Sequence, residues 1–146
     1  MKKNITNALN TYLADVSVLY FKWHNLHWNV VGPQFKAVHE YLETLYNNLA
    51  DVLDEVAENL KINGEVPLAS MKAYLAVTTV QELPSVELSV SEALAIVIAD
   101  LKALQTQGET IRTMADEADD YHVVGMLETQ LSEYKKNLWF LQAMVK

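Results

Sequence analysis

Five side chains stand out for the chemistry they would support together: His27, and then His39, Glu43, Asp54 and Glu58. The last four share a helical register. Steps of four set His39 beside Glu43 and Asp54 beside Glu58, and the eleven residues from Glu43 to Asp54 are close to three turns. Imidazole nitrogen and carboxylate oxygen are ligands for a divalent transition metal. The chain has no cysteine, so any such site uses nitrogen and oxygen alone, and disulfides and thiolate nucleophiles are excluded. A charged stripe on a helix is more often a solvated face, and a lone buried histidine is more often hydrogen-bonded than metal-bound. The combination tips the balance: His27 continues an apolar stripe where an uncompensated imidazole is costly, and one ion would satisfy several of these groups at once.

Helical rise decides where such a site can form. His39 and Asp54 are fifteen residues apart on one helix, roughly 22 Å along its axis, whereas the ligands of one ion lie within a few ångströms of each other. One helix cannot close the site. If two copies of it pack antiparallel about a two-fold axis near Asn48, His27 and His39 of one subunit come level with Asp54 and Glu58 of the partner subunit. A two-fold contact is isologous, so each dimer would hold two equivalent sites. A di-metal site inside one bundle instead needs Glu-x-x-His motifs, of which the sequence has none; Asp119-x-x-His122 is the nearest approach.

The elements that must carry these groups are helices. Leu9, Leu13, Val16, Tyr20, Trp23, His27 and Val30 recur at steps of four and three, predicting a first helix over about residues 4 to 30, interrupted by Gly32-Pro33. The second helix buries Val38, Leu42, Leu45, Leu49, Val52 and Val56 and stops near Asn63-Gly64. The site strip lies about 100° around it from that apolar stripe, so it flanks the core and borders an interface. Ser89-x-x-Glu92 reads as a capping box for a third helix with Leu94, Val97, Leu101, Leu104 and Ile111 buried. Asp119 or Asp120 caps a fourth, whose stripe is Val124, Leu127, Leu131, Tyr134, Leu138, Leu141 and Val145. The segment from about 63 to 88, with Pro67 and Pro84, is long enough to cross from one end of the bundle to the other, with a short helix over Ser70 to Leu75 on the way. The expectation is an all-α, ferritin-like four-helix bundle with one long crossover between its second and third helices.

The 146 residues suit a single domain spanning 1–146, and they include no apolar run of membrane-spanning length. Met1-Lys2-Lys3 leads into Asn4-Ile5-Thr6-Asn7, which lacks the apolar stretch of a secretory signal, so a cytoplasmic protein is expected. The net charge of −8 attracts cations and repels nucleic acid and anionic lipid.

His24-Asn25-Leu26-His27-Trp28-x-Val30-x-Gly32-x-x-Phe35-x-x-x-His39-x-x-x-Glu43-x-x-Tyr46, followed by Asp54-Glu55-Val56-Ala57-Glu58, closely resembles the signature of the Dps family of mini-ferritins. The resemblance implies a hollow shell of twelve subunits that takes in Fe(II), oxidises it, usually with hydrogen peroxide, and holds ferric mineral inside. Position by position it implies that His27 and His39 are ferroxidase ligands together with Asp54 and Glu58 of the partner subunit. Glu43 stands where many members have an aspartate that can assist, and Asn59 where the family often has an arginine, so a salt bridge beside the site would be missing. Trp28 occupies the place of a tryptophan close to the iron, suited to electron donation; an ordinary buried aromatic is the competing expectation. The resemblance implies one or two iron ions at each inter-subunit site, and zinc fits the same ligands as a competitor.

Asp116, Glu117, Asp119 and Asp120 stand near the region where such shells form acidic three-fold pores, with helix capping as the competing role, and Glu40 and Asp51 are candidates for an inner mineral-nucleating surface. Family members that condense DNA use basic tails. Lys2, Lys3 and Lys146 make a poor substitute in an acidic chain, so direct DNA binding is not expected. The rival function is a non-catalytic helical-bundle interaction protein whose histidines pack in a dimer interface.

Overall fold

Residues 1–146 are all described by a computed structural model, in which the apolar stripes become α1 (Lys3–Asn29), α2 (Phe35–Ile62), α4 (Val90–Glu117) and α5 (Tyr121–Met144). The crossover carries the short α3 (Met71–Val77), and two-residue strands β1 (Val30–Val31) and β2 (Leu88–Ser89) pair in parallel. The all-α ferritin-like bundle expected from the sequence is the fold observed. On α1, Leu9, Leu13, Val16 and Trp23 are buried and Tyr20 is half-buried; every stripe residue expected on α2 and α4 is buried. Each buried leucine or valine of this kind contributes about 2 kcal/mol by leaving water.

The crossover is fastened to α1 by that helix's polar residues, in ascending order on both sides. Asn10 Oδ1 accepts the Leu68 N–H at 2.9 Å. Asp15, only 1% exposed, accepts from the Thr78 hydroxyl, the Thr79 N–H and the Thr79 hydroxyl at 2.6 to 2.7 Å. Asn25 donates to the carbonyls of Leu83 and Pro84, and Val30 then pairs with Leu88. The connection therefore travels in the direction of α1 and delivers α4 parallel to α2, as a long crossover requires.

Helix ends follow local chemistry. Gly64 (φ +81°) closes α2 with two bonds, Glu65 N–H to Leu60 O and Gly64 N–H to Lys61 O, the paired geometry that a left-handed residue permits. Ser70 caps α3 and Ser89 caps α4 through the Glu92 N–H. Asp119 takes the left-handed position after α4 (φ +56°), which leaves Asp120 as the cap of α5.

One stripe departs from expectation. On α5 the buried residues are Val123, Leu127, Gln130, Tyr134, Asn137, Leu138 and Leu141, while Val124 and Leu131 are half-buried and Val145 is exposed. The helix turns toward the core a face containing two amides because partners wait there. The Tyr12 hydroxyl donates to Gln130 Oε1 and bonds to the Tyr134 hydroxyl, and the Tyr41 hydroxyl donates to Asn137. Leu131 instead packs over Gly108, where an added Cβ would come within 3.0 Å of it.

Candidate metal centre

The short joint between α1 and α2 folds the two helices into a hairpin that brings His27 against His39. His27 Nδ1 lies 2.6 Å from the His39 carbonyl oxygen, and His39 Nδ1 lies 2.7 Å from that of His27. A carbonyl only accepts, so each Nδ1 carries a proton and each neutral ring keeps its lone pair on Nε2. The rings stack with centroids 3.7 Å apart and planes 12° from parallel. Backbone hydrogen bonds of this kind fix a metal-binding imidazole in tautomer and orientation. Glu43 Oε1 stands 3.9 Å from His27 Nε2, on the side where a cation would sit.

A seam of rings surrounds the pair. Tyr46 stacks on His24 at 3.6 Å, meets His27 edge-on at 5.2 Å, and donates its hydroxyl to Glu43 Oε1 at 3.4 Å. Burial and the Glu43 carboxylate push the Tyr46 phenol up from its ordinary value. Phe35 stacks on His39. Trp28 is 63% exposed and leans on His24 at 5.3 Å, so within one subunit it is not a core aromatic. Phe21, Trp28 and Phe35 all expose apolar surface along this seam.

Asp54 and Glu58 lie on the exposed side of α2, three to four turns further along. The neighbouring Asp54 carboxyl, through hydrogen bonding first and its charge second, holds Glu58 above its ordinary value. Neighbouring carboxylates repel each other, and a bound cation relieves that repulsion. A cavity of about 430 Å³ adjoins Glu58, lined also by Glu55, Asn59, Tyr121 and His122. Asn59 is buried, donates toward His122 Nδ1 at 3.4 Å and accepts from Asn63, so no ion pair occupies that position.

The structure thus stacks His27 on His39 with Glu43 beside His27 alone, and sets Asp54 and Glu58 apart from them on the exposed side of α2. No three histidine or carboxylate side chains converge on one point within the chain. Glu40 lies 3.9 Å from Lys36, Asp51 is exposed, and at the α4–α5 joint Asp116 and Glu117 are exposed beside the capping Asp120. The contact of Tyr46 with Glu43 was not anticipated; their spacing of three residues on α2 was its available signal.

The model of the ferritin-like domain family matches residues 6–146. DNA protection during starvation protein 2 of Bacillus anthracis is 36% identical over 98% of this chain and 97% of its own length. Among solved structures, antigen TpF1 from Treponema pallidum superposes with a TM-score of 0.95 at 36% identity, over 98% of this chain and 92% of that one. A DPS protein from Vibrio cholerae O1, described as a member of a broad superfamily of ferritin-like diiron-carboxylate proteins, gives 0.93 at 26% identity over 99% and 90%. The bundle, its long crossover and the similarity along nearly the whole chain agree, and the chain belongs to the Dps branch of the ferritin-like family.

Proposed function

We propose that this protein is a ferroxidase that stores and detoxifies iron. In this reading His27, His39 and the assisting Glu43 of one subunit, with Asp54 and Glu58 of the partner subunit, bind Fe(II) and oxidise it with hydrogen peroxide. Ferric mineral is then held in a hollow twelve-subunit shell, protecting a cytoplasm from oxidative stress. Membership of the family supports the general role in iron storage and stress protection. The observation that carries the specific reading is the reciprocal bonding of His27 and His39, which keeps two Nε2 lone pairs available beside Glu43.

The donor set fits the chemistry. Neutral imidazoles and carboxylates hold both Fe(II) and Fe(III), and added negative charge favours the ferric product. Few protein ligands leave positions open for peroxide. Zinc fits the same donors and would act as a competitor. The exposed apolar rings beside the histidines suit a two-fold contact. The net charge of −8 draws ferrous ions and disfavours direct DNA binding. No helix is long and apolar enough to cross a membrane.

Anaerobic addition of Fe(II) followed by hydrogen peroxide tests the proposal. Ferric absorbance rising with peroxide consumption, in a particle of about twelve subunits by light scattering, supports it. A correctly assembled protein that changes nothing in the rate of iron oxidation would instead favour the non-catalytic interaction protein.

A further inference from the structure

We infer that the groove between α1, α4 and the crossover binds a short aliphatic diamine, one ammonium on Asp15 and the other on Asp100, which clamps the crossover to the bundle. The groove shares no residue with the candidate iron site.

Asp15 is the only carboxylate among the buried side chains, at 1% exposed. Buried charges are ordinarily paired with an opposite charge. The partners of Asp15 are instead neutral. Its Oδ1 accepts from the Thr78 hydroxyl and the Thr79 N–H, and its Oδ2 from the Thr79 hydroxyl alone. No lysine, arginine or histidine forms an ion pair with it. A carboxylate has about four lone-pair sites, so Oδ2 keeps a direction for one more donor. A cavity of about 380 Å³ opens beside it.

Asp100 lines the same cavity from α4. Its Oδ1 accepts from Lys22 at 2.8 Å and its Oδ2 from Trp23 Nε1 at 3.1 Å, yet burial still holds its carboxyl above the ordinary value. Lys22 follows Asp15 by seven residues on α1, which sets the two carboxylates roughly 10 Å apart along the helix axis. Leu19, one turn beyond Asp15, and Leu104, one turn beyond Asp100, line the wall between them. An apolar middle with an anion at each end complements an alkyl chain with an ammonium at each end. The nitrogens of a four-carbon diamine lie about 6 Å apart, and a charge-assisted hydrogen bond adds about 2.8 Å at each end, enough to span the groove. The volume is that of a small-molecule site. A divalent metal ion would need several oxygen donors at one point, and no such convergence of carboxylates exists here. Because Asp15 already ties down Thr78 and Thr79, a ligand on its remaining lone pair fastens the crossover further to α1 and α4.

Titration calorimetry of the assembled protein with putrescine, the four-carbon diamine, in physiological salt tests this. One ligand per subunit is expected, bound about tenfold or more tighter than butylamine or Mg(II), since each lacks one of the two features the groove would read. Hydrogen exchange at Thr79 and Val80 should slow on binding. Ala103→Leu narrows the cavity and leaves both carboxylates in place; it should weaken putrescine about tenfold or more while circular dichroism and light scattering stay as in wild type. Asp15→Asn, which removes the charge at nearly constant size, should weaken it at least as much. Absence of putrescine binding would overturn the inference. So would equal binding of putrescine and Mg(II), or undiminished binding in both variants, because the acidic chain would then be attracting cations without a built site.

Discussion

His27 and His39 each donate an Nδ1 proton to the other's backbone carbonyl, at 2.6 and 2.7 Å, so neither imidazole is oriented independently of the other. In the proposed function, the two helices that touch through this pair present one preformed half of the iron site, and its geometry depends on both residues.

Replacing either histidine is therefore expected to disable both. His27→Ala and His39→Ala should each lower peroxide-dependent iron oxidation by more than about 100-fold, since even the loss of an orienting partner costs 10- to 100-fold. The double variant should be little worse than either single one. Stopped-flow absorbance of ferric product measures this, and independent, multiplying effects would show that the two rings are not coupled. Assembly, read by light scattering, should persist.

Metal affinity should depend on pH through Glu58. The neighbouring Asp54 raises its folded-state titration above the ordinary carboxylate value, and the metal-binding form is the deprotonated one. Binding should tighten as pH rises through this raised range and then level off, with a proton released per site below it. Zn(II) titration calorimetry in buffers of different ionisation enthalpy measures both effects. Glu58→Gln should abolish the proton release.

Asp15 holds the crossover on α1 with three hydrogen bonds to Thr78 and Thr79 while almost wholly buried. Asp15→Ala leaves those donors without their acceptor and is expected to cost about 3 kcal/mol, within the range for buried hydrogen bonds to a charged group. Chemical denaturation measures the loss. Hydrogen exchange should quicken at Thr79 and Val80 before it changes in α2.

What was legible in the sequence follows from what periodicity can detect. The stripes of α2 and α4 are apolar throughout, and that of α1 is interrupted only by His27, so along them burial and hydrophobicity largely coincide and the helices could be read directly. On α5 they diverge: Gln130 and Asn137 are buried because Tyr12 and Tyr41, more than ninety residues away, satisfy their amides. Asp15 was hidden for the same reason, its donors lying in a segment that sequence marks only as a long connection. The candidate ligands were legible because helical spacing groups Glu43 with His39 and Asp54 with Glu58. The mutual bonds of His27 and His39 were not, since they depend on how closely the hairpin brings two helices together.

The shared site is the central claim, and complementation between two inactive subunits tests it most directly. His39→Ala and Glu58→Gln subunits, each inactive alone, are co-expressed with different tags and purified as mixed particles. In a mixed two-fold dimer one site carries both substitutions and the other carries neither, so random mixing should restore about a quarter of wild-type iron oxidation. Restoration near that level supports ligands drawn from two chains. Mixed particles as inactive as their parents would contradict it.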